Sequence, residues 1–271
     1  MPFDPHYTED IHLATLAQLA PGGAWELELP HDRGEHLLIW ITRGQGRGLL
    51  NGARSGMGTH NALFIPARTV FSLEIARQGY GQALVIPQSA GMTLPQQVRH
   101  LRIRDVAAQN ELTATLEALG REQSASRALS QSAVRAYAEL AAIWLRRQLA
   151  QHMEIEPPVS AGLRLTRAFC DRVVTRYAST DTINDFAAAL DVTPTHLTRV
   201  CRAHTGKTAA VLLSQRRLHA ARRLLTATTV PVKDIARHLG FGSAAYFTRF
   251  MQQHTGLSPR ALRSATTGPR H

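Results

Sequence analysis

The sequence predicts an α+β protein in two parts: a small β-barrel or sandwich followed by helices, then an all-α domain holding two helix-turn-helix motifs. Three observations predict it. Short apolar or alternating runs, punctuated by glycine, fill residues 24–87. Positive charge is confined to the last two-fifths of the chain: from Ser160 onward 17 Lys and Arg face 5 Asp and no Glu, net +12, against 14 and 15 before it, net −1. And the stretch TRVCRAHTG at Thr198 to Gly206 returns fifty residues later as TRFMQQHTG at Thr248 to Gly256. With 271 residues, 44% of them hydrophobic, the chain can bury two modest cores.

In the first part Trp25 to Leu29, Leu37 to Ile41, Gly48 to Leu50, Ala62 to Ile65, Val70 to Ile75 and Gln82 to Ile86 read as six short strands. Aromatic side chains in such a fold are mostly core, but Trp25, Trp40, Phe64 and Phe71 are the candidates for lining an effector pocket, with Arg43 to meet an acid group. Metal chemistry finds little support. No H-x-H occurs, the spacing of His31, Glu35, His36 and His60 fits no metal motif, and no catalytic residues or cofactor are expected. Gly44 to Gly48 lacks a phosphate-loop pattern and reads as a hairpin turn. The apolar run Leu37 to Ile41 is far below the roughly 20 residues a membrane helix needs, and the acidic start has no signal-peptide pattern, so a cytoplasmic protein is expected. Cys170 and Cys201 have neither metal nor disulfide spacing and read as packing thiols.

Helices are expected over about 105–150. The second carries Tyr137, Ala141, Trp144, Leu145 and Gln148 on one stripe. That stripe must be buried, either over the β-structure or against a second copy, and a homodimer is the favoured expectation. Pro157 and Pro158 break the chain, so a first domain of 1–152, a linker of 153–160 and a second domain of 161–265 are drawn.

The repeat organises the second domain. Asp185, Ala187 and Leu190 recur 49 places on as Asp234, Ala236 and Leu239, while Leu197, Val200 and His204 recur 50 places on as Phe247, Phe250 and His254. One residue is therefore inserted between them, at a turn: Asp191-Val192 in one copy, Gly240-Phe241-Gly242 in the other. Each copy is helix, turn, helix, at about 182–205 and 231–255, with Thr193 and Ser243 capping the second helices. A spacer helix at about 208–227 joins them, and its Arg216, Arg217, Arg222 and Arg223 are expected to face solvent or phosphate. The outward residues Thr195, His196, Thr198, Arg199 and Arg202 are the candidate DNA contacts of the first copy, and Ser243, Ala244, Ala245, Tyr246, Thr248 and Arg249 those of the second. Asp185 and Asp234 are the acids that would instead pair Arg199 or Arg249 within the fold.

The run Ile235-Ala236, Gly240-Phe241, Ser243, Tyr246-Phe247, Arg249, closed by Gly256, Ser258-Pro259 and Arg263, resembles the C-terminal signature of the AraC/XylS family of bacterial transcription regulators. The spacer Arg217-Leu218, Ala221, Leu224-Leu225 is similar to that family's linker helix. The resemblance implies seven helices contacting adjacent major grooves of double-stranded promoter DNA, usually to activate transcription beside RNA polymerase. It also implies a cupin-like N-terminal β-barrel, a homodimer and an unidentified small-molecule effector. Cys201 and Met251 depart from the family's usual Phe, and Asp191 from its usual Gly. The expected function is thus a sequence-specific DNA-binding regulator, neither an enzyme nor a membrane protein. The alternatives are a metal-dependent cupin enzyme fused to a DNA-binding domain, and a nonspecific or architectural nucleic-acid binder.

Overall fold

The computed structural model describes residues 10–76, 78–125, 127–151 and 159–267. The proline pair of the expected linker lies outside them; Val159 and Ser160 lie within. Eight strands and ten α-helices are formed among the described residues.

The strands make two antiparallel sheets. In the larger, the order is β1 (His12–Thr15), β7 (Tyr80–Pro87), β2 (Glu35–Arg43), β5 (Asn61–Ile65), β8 (Arg99–Arg102). In the smaller it is β4 (Ala53–Gly58), β3 (Gln45–Leu50), β6 (Phe71–Ile75). Among the described residues the two sheets share no strand pairing, so they form an open sandwich, one of the two forms the sequence allowed, and not the closed barrel the resemblance implied.

The central strand β2 is apolar on both faces because both are covered. Leu37, Ile39 and Ile41 pack with Leu50, Met57, Phe71 and Leu73 between the sheets. Leu38 and Trp40 pack on the other side with Phe64 and Leu84, under helices α2 (Val106–Ser124) and α3 (Ser130–Gln151). This placement corrects one expectation. Ala141, Trp144, Leu145 and Gln148 are buried in the chain's own core and Tyr137 packs against it, so the stripe covers the sheet and is not free for a second copy. Trp144 stands edge-on to Trp40 at 6.3 Å and donates Nε1–H to the Ala108 carbonyl at 3.0 Å.

The candidate pocket residues do not converge either. Trp40 and Phe64 lie in one core and Phe71 in the other, all fully buried. Arg43 donates to the Gln78 carbonyl at the sheet's end. Trp25 belongs to α1 (Trp25–Glu28), one helical turn where alternation suggested a strand. The turn wins locally: Glu28 N–H bonds Ala24 O and Leu29 N–H bonds Trp25 O, while the Glu26 carboxylate accepts from Gly22 N–H at 3.2 Å. The strands β1, β4 and β8 were not foreseen.

The second domain has seven described helices: α4 (Ala161–Arg176), α5 (Ile183–Ala188), α6 (Pro194–Thr205), α7 (Ala209–Ala227), α8 (Val232–His238), α9 (Ala244–Thr255) and α10 (Pro259–Thr267). Two cores hold it. One, around Phe169, Phe186, Leu197 and Cys201, extends to Leu49 and Val70 of the first domain. The other gathers Leu224, Ile235, Phe247, Phe250, Met251 and Leu262. Both cysteines are buried, which pushes their thiols well above the ordinary value, as packing residues require. No helix among the described residues is long and apolar enough to cross a membrane.

Candidate nucleic-acid interface

The repeat is a repeat of helix ends. Thr193 accepts from His196 N–H at 3.2 Å to start α6, and Ser243 accepts from Tyr246 N–H at 3.1 Å to start α9. At the far ends the HTG triplets do identical work. Gly206 and Gly256 turn left-handed, at φ 74° and 73°, and return N–H bonds of 2.9 Å to Arg202 and Gln252. Thr205 and Thr255 each donate a hydroxyl 2.7 Å to the carbonyl four residues back, at Cys201 and Met251. Between paired helices, Asp191 takes φ 53° and Gly240 φ 75°, so the departure at Asp191 preserves the backbone form.

These ends fix which side chains face outward. On α6, Thr195, Arg199 and Arg202 are exposed and His196 and Thr198 half-buried; Arg199 Nη2 lies 3.0 Å from His196 Nδ1. On α9, Ser243, Ala244, Ala245, Tyr246 and Arg249 are exposed, Tyr246 to 56%. Thr248 is half-buried and its hydroxyl donates back to the Ala244 carbonyl at 2.9 Å. Neither acid of the repeat pairs with these arginines: Asp185 closes a capping box with Thr182, and Asp234 pairs with Arg237 at 3.1 Å. Hydrogen bonds from Thr182 hold the Asp185 carboxyl below its ordinary range.

The spacer arginines correct the sequence reading, because they are consumed within the protein. Arg216 is 6% exposed; its Nε and Nη2 both lie 2.8 Å from Asp32 Oδ1, and its guanidinium stacks over the Tyr177 ring at 3.7 Å. Burial is the largest influence and penalises its charge, but the Asp32 carboxylate and Tyr177 together outweigh that penalty and hold its pKa above the ordinary value. Arg217 donates to the carbonyls of Tyr177, Ser179 and Asp181, and Arg222 lies over the Trp25 ring at 4.1 Å. Arg263 likewise ties α10 to the Leu225 and Val230 carbonyls. His219 stacks on His31 at 4.3 Å. Sequence reasoning missed this junction: Asp32 and Arg216 are 184 residues apart, and nothing local marks them as partners.

Among the described residues no group of three His, Cys, Asp or Glu side chains is placed to hold a metal. Of the four imagined ligands, His31 and Glu35 are buried, and His36 accepts Ala67 N–H at 3.1 Å.

With this geometry in place, comparison with known proteins identifies the domain. A helix-turn-helix domain family model matches residues 186–265. The arabinose operon regulatory protein of Escherichia coli K12 is 27% identical over 135 residues, covering 47% of this chain and 45% of that protein. The chain carries a helix-turn-helix domain over residues 186–265. The HTH-type transcriptional regulator YfiF of Bacillus subtilis is 32% identical over 82 residues, covering 30% of this chain and 26% of its own. The chain therefore spans less than half the length of these relatives. The structure of unsaturated fatty acid bound ToxT from Vibrio cholerae aligns over 96% of both chains, with 11% identity and a TM-score of 0.44.

Proposed function

We propose that the protein is a transcription regulator that binds double-stranded promoter DNA sequence-specifically, placing α6 and α9 in successive major grooves. One observation carries the reading: two copies of one capped helix pair, joined by a single 19-residue helix, inside a segment of net charge +12. At about 1.5 Å per residue that helix spans about 28 Å, close to the roughly 34 Å turn of B-DNA. The outward Thr195, His196, Arg199 and Arg202 offer donors and acceptors to base edges, whereas Ala244 and Ala245 offer none. The first helix therefore reads sequence; the second, with Ser243, Tyr246 and Arg249, anchors phosphates and follows groove shape. One chain can meet both grooves, so binding does not require a second copy. Activation beside RNA polymerase, under the control of a small molecule, completes the reading.

The test is selection of sites from random duplex DNA by the full chain at two salt concentrations. Enrichment of two short blocks about one helical turn apart, with affinity falling steeply in salt, is the expected result. Tight but unselective binding would replace it with an architectural role.

A further inference from the structure

The outer face of the three-stranded sheet meets the turn between α6 and α7 across a cleft of about 460 Å³. Both domains build it: Arg47, Arg54, Ser72 and Glu74 come from the sheet, Thr205 from the end of α6 and Lys207 from the turn. Three cations thus face one carboxylate, two positive charges in excess. That carboxylate is already engaged, with Arg47 Nε 2.7 Å from Glu74 Oε2. Arg54 has no acid partner among the described residues; its guanidinium lies over Gly206, Nη1 3.1 Å from where a Cβ would stand. Lys207 is half-buried, with Nζ donating to Gln215 Oε1 at 2.8 Å, and burial lowers its pKa from the ordinary lysine value. Gly56, exposed on β4, also lines the cleft, and nothing lies within 4 Å of where a Cβ on it would stand.

Two positive charges in excess along one cleft favour an anion there. The volume suits a small metabolite, and guanidinium and ammonium groups brought by two different domains to one cleft suit a ligand carrying more than one negative charge. We propose that this cleft binds a small organic dianion, bridging Arg54 of the β-domain and Lys207 of the DNA-binding domain and so stiffening the junction between them. Phosphate monoesters and dicarboxylates share the required charge. The site differs from the aromatic pocket expected from sequence, whose Trp40, Phe64 and Phe71 are core. Binding stands apart from the DNA reading; the regulatory consequence, that the dianion changes the affinity for DNA, rests on it.

The experiment is titration calorimetry on the full chain at fixed ionic strength, with glucose 6-phosphate and succinate as probes and glucose as control. At least one dianion should bind saturably, one per chain, and glucose should not; which one binds separates the phosphate from the carboxylate source. Lys207→Met and Arg54→Gln should each weaken binding at least tenfold. Gly56→Phe, which adds a ring to the cleft lining while leaving every charge in place, should abolish it. Absence of saturable binding by both dianions, or full binding by Gly56→Phe, overturns the site. Affinity for the selected duplex should then shift with the dianion in the wild type and not in Gly56→Phe; an unchanged affinity overturns the regulatory half. Flat calorimetry beside normal DNA selection would sink this inference alone.

Discussion

The two helix-turn-helix copies share helix ends and differ in what they present and what supports them. In the first, α6 presents Thr195, His196 and Arg199; in the second, α9 presents Ala244, Ala245 and Tyr246. The core behind the first continues into the β-domain through Leu49 and Val70. The core behind the second takes partly buried Leu29 from the first domain and is otherwise closed by its own aromatics, Phe241, Phe247 and Phe250, with Phe241 5.0 Å from each of the other two rings, and by Leu262 of α10. The caps are the same in both copies and the outward faces are not: the copy with the richer polar face also has the core that continues into the first domain through buried residues.

Breaking that coupling should have the largest effect. Asp32→Asn leaves the Arg216 charge buried without a counter-charge, a loss of about 3–5 kcal/mol. Urea unfolding measures the loss, and hydrogen exchange locates it: α6 and α7 should loosen more than α9. Equal loosening of α6 and α9 would dissolve the distinction between the copies.

Acid should attack the same junction. His31 and His219 are both held well below the ordinary value of 6.5, first by desolvation and then by neighbouring charges: Arg33, Arg216 and Arg223 for His31, and His31, Arg216 and Arg223 for His219. Each ring donates to a carbonyl, His31 Nδ1 to Leu29 at 2.8 Å and His219 Nε2 to Glu26 at 3.1 Å. Both are therefore neutral in the native state, while the unfolded chain takes up protons as pH falls through about 6.5. Stability is full above that pH and declines below it. Thermal melts between pH 8 and 5.5 should record the decline, and it should shrink in a His219→Gln variant.

What the sequence made legible was local chemistry. Thr193 and Ser243 were readable as caps because a cap needs only its own hydroxyl and the N–H three residues on. The need to bury the Trp144 stripe was readable too, but not its cover, because an apolar face does not name its partner. Trp25 to Leu29 misled because five alternating residues fit one helical turn as well as a strand. The α7 arginines misled more deeply. Charge predicts solvent, and only the fold brings Asp32, Tyr177 and Trp25 to Arg216 and Arg222.

The turns between the paired helices offer the next contrast. A Cβ on Gly240 would stand 2.1 Å from the Ser179 carbonyl oxygen, at φ 75°, so Gly240→Ala combines strain with a backbone clash. It should destabilise the second copy by more than about 2 kcal/mol, while Asp191→Gly in the exposed first turn should change stability by less than about 1 kcal/mol. Denaturant midpoints of the two variants decide this. The outward faces should then separate by specificity. Arg199→Ala should relax preference at one base position by about 1–3 kcal/mol, while Arg249→Ala weakens all sequences evenly. Competition binding against single-base variants of the selected site measures both, and equal loss of discrimination would erase the proposed division.

The smallest effects belong to the caps, and they test whether the shared frame is equally secure in both copies. Replacing Thr193 or Ser243 by Ala removes the acceptor for one first-turn N–H and should cost about 1 kcal/mol each. The two should not be equal. In α6 the next residue is Pro194, whose fixed φ holds the first turn in helical form without the cap, whereas in α9 it is Ala244. Ser243→Ala should therefore fray its helix more than Thr193→Ala, a difference visible in the hydrogen-exchange rates of the first amides of α9 against those of α6. Because the first turn of α9 also carries the groups proposed to anchor phosphate, the same variant should lose more DNA affinity across all sequences. A larger loss from Thr193→Ala would mean that packing of Leu197 and Phe247, and not the cap, sets where each recognition helix begins.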